Sequence, residues 1–137
     1  MGVVLEKEIP SREELIRLYD SVGWSAYTAD PDLLEAAMAA SLRVVTARID
    51  GRLVGLARVV GDGLTIAYLQ DVLVDPSHHR SGIGRLLMEE VLAPFASARQ
   101  KVLLTDTEPA QRAFYEALGF TEAHDHRPEL RAFVRFD

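Results

Sequence analysis

The sequence predicts a single domain, residues 1–137, of the α+β class with a mixed sheet. Two observations favour this class. Three consecutive strand patterns in the middle of the chain are joined by short turns, which makes them antiparallel neighbours. A helical pattern then separates the fourth strand from the fifth, and such a crossover makes those two strands parallel. The length is typical of one domain with one core.

The predicted order of elements is β-α-α-β-β-β-α-β-α-β-β. Helices are predicted where apolar residues recur every three or four positions, and strands where β-branched or apolar stretches lie between turn residues. The strands are predicted at residues 3–9, 42–49, 52–60, 64–76, 101–105, 120–124 and 131–136. The helices are predicted to run from Ser11 to Gly23, from Asp30 through Met38, from Ile83 to Phe95 and from Pro109 to Leu118.

Capping residues set the helix boundaries. Ser11 and Glu14 form a capping box, in which each side chain satisfies a free backbone amide of the first turn. Asp30 is followed by a proline, which suits the first helical turn because it lacks an amide that would have no partner there. Gly119 ends the last helix, since glycine adopts a left-handed conformation without strain.

Turn residues set the strand boundaries. Asp50 and Gly51 join the second strand to the third, because both accept the positive φ angles of a tight hairpin. Gly61 and Gly63 bracket the next turn, before the long fourth strand. Residues 24–29, between the first two helices, are predicted to form a loop.

Composition and charge exclude several classes of function. A net charge of −6 disfavours a broad surface for nucleic acid or anionic membranes. No apolar stretch reaches membrane-spanning length, and the N-terminus does not resemble a signal peptide, so we expect a cytoplasmic protein. The absence of cysteine excludes disulfides and an acyl-cysteine intermediate. His124 and His126 have no clear third ligand, so no metal site is predicted.

A glycine-rich, locally basic turn links the fourth strand to the following helix. Gly82 and Gly84 stand one residue apart, with Arg80 and Arg85 beside them. Free amides at a helix start attract anions, and glycine lets a phosphate approach the backbone. The expected ligand is therefore a phosphate or pyrophosphate. The alternative is that the glycines only cap the helix or allow close packing.

Two segments of the chain resemble the signatures of the GNAT superfamily of N-acetyltransferases. The segment "VLVDPSHHRSGIGRLL" (72–87) resembles its motif A, [QR]-x-x-G-x-[GA], and "AFYEALGF" (113–120) resembles its second signature. The predicted order of elements is similar to that fold along essentially the whole chain. The resemblance implies that the fourth and fifth strands are parallel and splay apart.

The resemblance also implies acetyl-CoA as the acyl donor. Its pyrophosphate is expected on the glycine turn, and its pantetheine arm is expected to pair with the backbone of the fourth strand. The cofactor-binding residues so implied are Arg80, Ser81, Gly82, Ile83, Gly84 and Arg85 for the pyrophosphate and Val72, Leu73 and Val74 for the arm. The chain departs from the pattern at His79, where Gln or Arg is usual, and at Glu108, where many members carry Asn.

The reaction implied by the resemblance is direct attack of an amine on the thioester in a ternary complex. Tyr115 matches the family tyrosine that protonates the departing CoA sulfur, and a phenol with a pKa of about 10 suits that role. Asp71, on the fourth strand, is the candidate base, directly or through water. The alternative for Asp71 is a structural hydrogen-bond acceptor.

The acceptor is expected to be the primary amine of a small molecule. Trp24 and Tyr27 lie in the loop that lines the acceptor site in this family, and Tyr68 and Gln70 lie on the adjoining strand. The two loop aromatics either wall an amine pocket or only anchor the loop. "SVGW" and "QDVLVDPSHH" are similar to the arylalkylamine (serotonin-type) branch.

The family resemblance leaves two further questions open. C-terminal strands often pair between subunits in such proteins, which makes a homodimer plausible. The alternative to catalysis is a non-catalytic acyl-CoA-binding or interaction module with the same fold.

Overall fold

The computed structural model describes residues 2–137, which divide into two compact units on either side of the boundary between Leu104 and Thr105. The first unit contains a five-stranded sheet with the spatial order β1-β2-β3-β4-β5. The strands are Val3–Lys7 (β1), Arg43–Ile49 (β2), Arg52–Val60 (β3), Ile66–Val74 (β4) and Gln100–Leu103 (β5). The helices are Arg12–Ser21 (α1), Ser25–Thr28 (α2), Pro31–Ala40 (α3), Ile83–Leu92 (α4) and, in the second unit, Pro109–Ala117 (α5).

The sheet is mixed, as the sequence predicts. Strands β1 to β4 pair antiparallel in chain order, and β4 pairs parallel with β5 after the crossover through α4. The parallel pairing covers Ile66–Leu69 of β4, opposite Gln100–Leu103. Within residues 2–137, no strand pairs with that side of β4 beyond Leu69, so the two strands part there.

Strand β4 contains a bulge at the point where the parallel pairing stops. Arg58 of β3 lies opposite Asp71, whereas the next residue, Val59, lies opposite Leu69. Gln70 is therefore the extra residue, which locally bends the strand and changes the direction of its side chain.

The two faces of the sheet are covered by different helices. Successive residues of a strand point to opposite faces. Leu56 belongs to the core cluster with α1 and α3, whereas Gly55 faces Ile83 and Leu87 of α4. The inner side of α4 is fully packed, with Ile83, Leu87, Met88 and Val91 buried.

Local signals in the sequence set the helix ends as predicted. The capping box forms in both directions between Ser11 and Glu14. The side chain of Asp30 accepts a hydrogen bond from the amide of Leu33 (3.2 Å), which fixes the start of α3. The third predicted helix ends at Leu92 and continues as a 3₁₀ turn to Phe95, because Pro94 lacks an amide to donate.

The two predicted C-terminal strands, 120–124 and 131–136, do not form. In the described part of the second unit, α5 and one 3₁₀ turn are the regular elements. Phe133 and Phe136 are 78% and 87% exposed, so no sheet covers these apolar side chains. A strand needs a hydrogen-bonded neighbour, and the sequence pattern alone does not supply one.

Residues 24–29, predicted to be a loop, contain the single-turn helix α2. The amide of Ala29 donates to the carbonyl of Ser25 (2.9 Å) and closes the turn. Among the described residues, no helix is long and apolar enough to cross a membrane.

We expect Gly55→Ala to destabilise the first unit by about 1–3 kcal/mol, since it overpacks a filled interior. A Cβ at this position would lie 2.9 Å from Cδ1 of Leu87 and 3.2 Å from the backbone oxygen of Leu73. Leu87 is fully buried and has little room to move. Urea denaturation measures the change, and Gly2→Ala, which has no atom within 4 Å of the added carbon, is the control. Equal stability of the two variants would contradict the close approach of α4 to β3.

Candidate functional site

The outer half of β4 offers backbone groups along an edge without a neighbouring strand. The amide of Asp75 donates to the carbonyl of Val54 (2.8 Å), and hydrogen-bonded pairs alternate along an antiparallel ladder. Leu73 therefore bonds towards β3, whereas the amides and carbonyls of Val72 and Val74 point towards the unpaired side. These three are the residues to which the sequence assigned the pantetheine arm.

One of these backbone groups already has a partner. Nε2 of His79 donates to the carbonyl oxygen of Val74 (2.9 Å). The histidine that departs from the family pattern thus folds back on the end of β4. What remains open towards an extended ligand is the amide of Val74 and both backbone groups of Val72.

The turn after β4 is held by side chains at its beginning. The carboxylate of Asp75 accepts from the amide (2.9 Å) and the hydroxyl (2.7 Å) of Ser77. The hydrogen bond from that amide is the first cause that keeps the pKa of Asp75 below its ordinary value. The hydroxyl of Ser81 donates to the carbonyl of His78. These bonds fix the backbone that leads into α4.

The start of α4 has free amides and open space in front of them. Gly82 occupies the cap position with a φ of +83°, a left-handed conformation that favours glycine. Among the described residues, no side chain caps the first turn, and no atom lies within 4 Å of the position of a Cβ on Gly82. Such a helix start attracts an anion.

The predicted phosphate-binding residues divide into two groups. Arg80, Ser81, Gly82 and Arg85 are exposed, and Gly84 is partly exposed. The side chain of Ile83 is buried under the sheet, so it can offer only its backbone amide to a ligand. Arg85 pairs with Glu89 (2.9 Å). No carboxylate within residues 2–137 pairs with Arg80, whose charge is therefore available.

A second cluster lies beside the bulge and centres on Asp71. This carboxylate is 2% exposed and is paired with Arg58, from Nε to Oδ2, at 2.9 Å. The hydroxyl of Tyr19 also donates to Oδ2 (2.9 Å), and the hydroxyl of Tyr27 donates to Oδ1 (2.8 Å). Both carboxylate oxygens accept hydrogen bonds from protein side chains, and the group is buried, so the surface reaches Asp71 only through these donors.

The aromatic residues of this cluster connect Asp71 to the surface. Nε2 of Gln70 donates to the hydroxyl oxygen of Tyr27 (3.2 Å). Trp24 packs against Tyr19 and Tyr27, with ring centroids 6.0 and 6.2 Å apart, and keeps 36% of its surface exposed. Burial raises the pKa of Tyr19 and of Tyr27, which keeps both phenols protonated and donating.

Three of the four predicted acceptor-site residues, Trp24, Tyr27 and Gln70, thus come together. Tyr68 is half-buried on β4, opposite Val60, and lies before the bulge. Tyr27 anchors its segment to β4 through Asp71 and also keeps part of its surface exposed, and a role in walling an amine pocket stays a prediction.

Arg58 and Tyr19 were not predicted from the sequence as members of this cluster. A charged residue within the apolar stretch of β3 was the available signal for Arg58, since such a residue is seldom buried without a partner. Tyr19 lies on the apolar side of α1, where its hydroxyl needs a hydrogen-bond partner. Neither signal identifies Asp71 as that partner, because the contacts are distant in sequence.

Tyr115 belongs to the second unit and lies on α5. Its ring packs edge-on against Phe114 and Phe120, with centroids 5.0 and 6.0 Å away. Burial, and then the charge of Asp106, raises the pKa of Tyr115. Glu108 occupies the cap position of α5, but its carboxylate makes no capping hydrogen bond there. In the described chain, no three His, Cys, Asp or Glu side chains are grouped to hold a metal ion.

Comparisons with known proteins identify the family and the fold. The family model described as "Acetyltransferase (GNAT) domain" matches residues 40–122. A solved GNAT-family acetyltransferase of Streptococcus pneumoniae is 33% identical, with a TM-score of 0.86 over 99% of this chain and 98% of that chain. The fold is also shared with AAC(6')-Iy, solved with a CoA-containing bisubstrate analogue, at 20% identity and a TM-score of 0.67 over 100% of this chain and 99% of that chain.

Among curated proteins, chloroplastic serotonin N-acetyltransferase 2 of Oryza sativa is 39% identical over 51% of this chain and 35% of its own length. The chain spans between 35% and 66% of the first curated relatives that it matches. The family model covers more than half of the chain, and the likeness to the Streptococcus pneumoniae protein extends over nearly all of it. The chain therefore belongs to the GNAT family of acetyltransferases.

Proposed function

We propose that this protein transfers an acetyl group from acetyl-CoA to the primary amine of a small molecule, by direct attack in a ternary complex. The proposal rests on one observation, that two features suited to binding follow each other directly along the chain in the first unit. The unpaired edge of β4 leads directly into a turn whose amides are free to bind an anion. Acetyl-CoA combines an extended amide-bearing arm with a pyrophosphate, which matches these two features in order.

The residues present fit the donor. Gly82 leaves open space at the helix start, and Arg80 adds an available positive charge. Val72 and Val74 offer backbone groups with which an extended arm can pair, as an added strand does. Family membership supports acetyl-CoA, since GNAT acetyltransferases use it as donor.

The transfer needs one bond to form and one to break. The amine nitrogen attacks the carbonyl carbon of the thioester, the C–N bond forms, and the C–S bond breaks. The nitrogen loses a proton, and the departing sulfur gains one to become the thiol of CoA. We assign that proton donation to Tyr115, whose raised pKa keeps it protonated in the neutral range.

In this proposal the proton lost by the nitrogen passes to the hydroxyl oxygen of Tyr27 as the phenol proton of Tyr27 moves to Asp71. Its two oxygens are occupied by protein donors, and Tyr27 is the donor that is only partly buried. The nearby Trp24 favours an amine that carries an aromatic group, and the partial likeness to serotonin N-acetyltransferase supports this choice of acceptor.

We also propose a homodimer formed through the C-terminal segment. Four apolar side chains in or next to the segment predicted as the last strand are all at least half exposed: Leu130, Phe133, Val134 and Phe136. A second copy of the chain is the partner that would pair with it.

The donor site is tested by replacing Gly82. Gly82→Ala forces a Cβ into a left-handed position and into the space before the free amides, so we expect the Kd for CoA to rise at least about tenfold. Gly51→Ala is the matched control, because Gly51 has a similar φ of +79° and open surroundings but lies in the β2–β3 hairpin. Calorimetry measures the Kd for CoA of both variants. Equal weakening in the two variants would contradict the assignment.

The role of Tyr115 as the proton donor to the departing sulfur is tested with Tyr115→Phe. We expect kcat for acetylation of arylalkylamines to fall about a hundredfold or more, with CoA binding unchanged. Because Tyr115 acts while protonated and its folded pKa is raised above 10.0, wild-type kcat should decline only as pH rises through that raised value. Release of CoA thiol across a panel of amines is the assay. Binding of acetyl-CoA without turnover of any amine would instead favour a non-catalytic module.

The dimer is tested by light scattering after chromatography. Replacing Phe133 and Phe136 together by Ser should convert a dimer into a monomer, because both side chains would then no longer favour burial. Leu64→Ser removes a comparably exposed apolar residue from the β3–β4 turn and should leave the mass unchanged. A monomeric wild-type protein would refute this part of the proposal.

A further inference from the structure

A buried ion pair lies directly beneath a partly exposed tyrosine. The side chains of Arg58 and Asp71 are 7% and 2% exposed, and they contact each other on neighbouring strands. Removing two charges from water is costly, and such a pair seldom contributes much to stability compared with apolar residues of similar size. Its position beside the surface suggests that it serves the site.

The ion pair fixes the direction of the hydrogen bond made by Tyr27. Both oxygens of Asp71 act as acceptors: Nε of Arg58 and the hydroxyl of Tyr19 donate to Oδ2, and the hydroxyl of Tyr27 donates to Oδ1. Tyr27 must therefore direct its single proton to Oδ1 of Asp71, 2.8 Å away.

The oxygen of Tyr27 is left as an acceptor. A phenol oxygen accepts up to two hydrogen bonds, and Nε2 of Gln70 makes one of them at 3.2 Å. Tyr19 donates to the same carboxylate but is fully buried, so its oxygen does not reach the surface. Of these two tyrosines, Tyr27 alone presents a directed acceptor towards a ligand.

This acceptor lies close to the edge assigned to the donor. Gln70 is the bulged residue of β4, and Val72, the first residue of the open backbone edge, follows two positions later. Two residues of extended chain span about 7 Å. An amine bound at Tyr27 is thus held near the path of the acyl arm.

We propose that Arg58 and Asp71 form a positioning pair that holds the hydroxyl of Tyr27 as a fixed hydrogen-bond acceptor for an N–H of the acceptor amine. This inference rests on the proposed function and deepens it. The amine donates to Tyr27, and its apolar or aromatic portion packs beside the exposed surface of Trp24. The class of ligand is a primary amine with an aromatic group.

The test compares two tyrosine variants that each remove one hydrogen bond to Asp71. Tyr27→Phe removes the proposed acceptor, whereas Tyr19→Phe removes a buried donor that no ligand reaches. The probe is 2-phenylethylamine, titrated by calorimetry into the protein saturated with CoA. We expect its Kd to rise at least about tenfold in Tyr27→Phe and to stay within about twofold of wild type in Tyr19→Phe. The Kd for CoA should be unchanged in both.

The role of the ion pair is tested by a double-mutant cycle. An Asn amide at position 71 can donate to Tyr27 and reverse the bond, so Asp71→Asn should weaken amine binding as Tyr27→Phe does. The two changes combined should weaken it no further than either alone. If Asp71 had a purely structural role, the two changes would weaken amine binding additively, and Asp71→Asn would also weaken CoA binding. If the Asp71→Asn variant does not fold, the comparison of Tyr27→Phe with Tyr19→Phe tests the inference by itself.

The outcomes separate this inference from the proposed function. Amine binding that depends on Tyr27, without release of CoA thiol from acetyl-CoA, would support the inference and refute the transferase. Turnover of amines with equal Kd values in wild type and Tyr27→Phe would refute the inference and support the transferase. A CoA-loaded wild-type protein that does not bind 2-phenylethylamine at millimolar concentration would also overturn the inference.

Discussion

The loss of a neighbouring strand beyond Leu69 is the constraint on which the rest of the site depends. At Tyr68 and Leu69, β4 is paired with a strand on both sides, and beyond Leu69 the described chain leaves one side without a strand. Buried backbone groups need partners, so such an edge persists where water or a ligand supplies them. The bulge at Gln70 marks this change and brings a polar side chain beside Tyr27. The candidate donor and acceptor sites therefore share one strand.

An acidic chain can bind an anion because its charge at the site is local. The net charge of −6 would oppose a pyrophosphate over long distances. At the start of α4, however, amides without a side-chain cap and the helix dipole act within a few ångströms. The exposed guanidinium of Arg80 adds to them. This arrangement does not need a broad basic surface. It does require a residue that adopts a left-handed conformation at the cap, which glycine does without strain.

The features that the sequence predicted best are those set by neighbours in the chain. Capping at Ser11 and Asp30 and the glycine turn before α4 depend on residues within about one helical turn. The C-terminal strands were wrong because a short apolar stretch describes side chains alone, whereas a strand also requires a hydrogen-bonded partner. The contacts of Asp71 with Arg58 and Tyr19 bring together β4, β3 and α1, and no spacing rule in the sequence specifies them.

The extra residue in β4 has a consequence for how this protein can vary. Side chains of a strand alternate with a period of two, so one inserted residue allows the segments before and after it to keep separate registers. The segment Ile66–Leu69 is paired with β5, and its last two residues also with β3, whereas the segment from Asp71 onwards is paired with β3 alone. Deleting Gln70 would make Arg58–Asp71 and Val59–Leu69 successive pairs, so the strand would become regular while both segments kept their present faces. The bend and the side chain that contacts Tyr27 would be lost, whereas a substitution at position 70 would keep the bend.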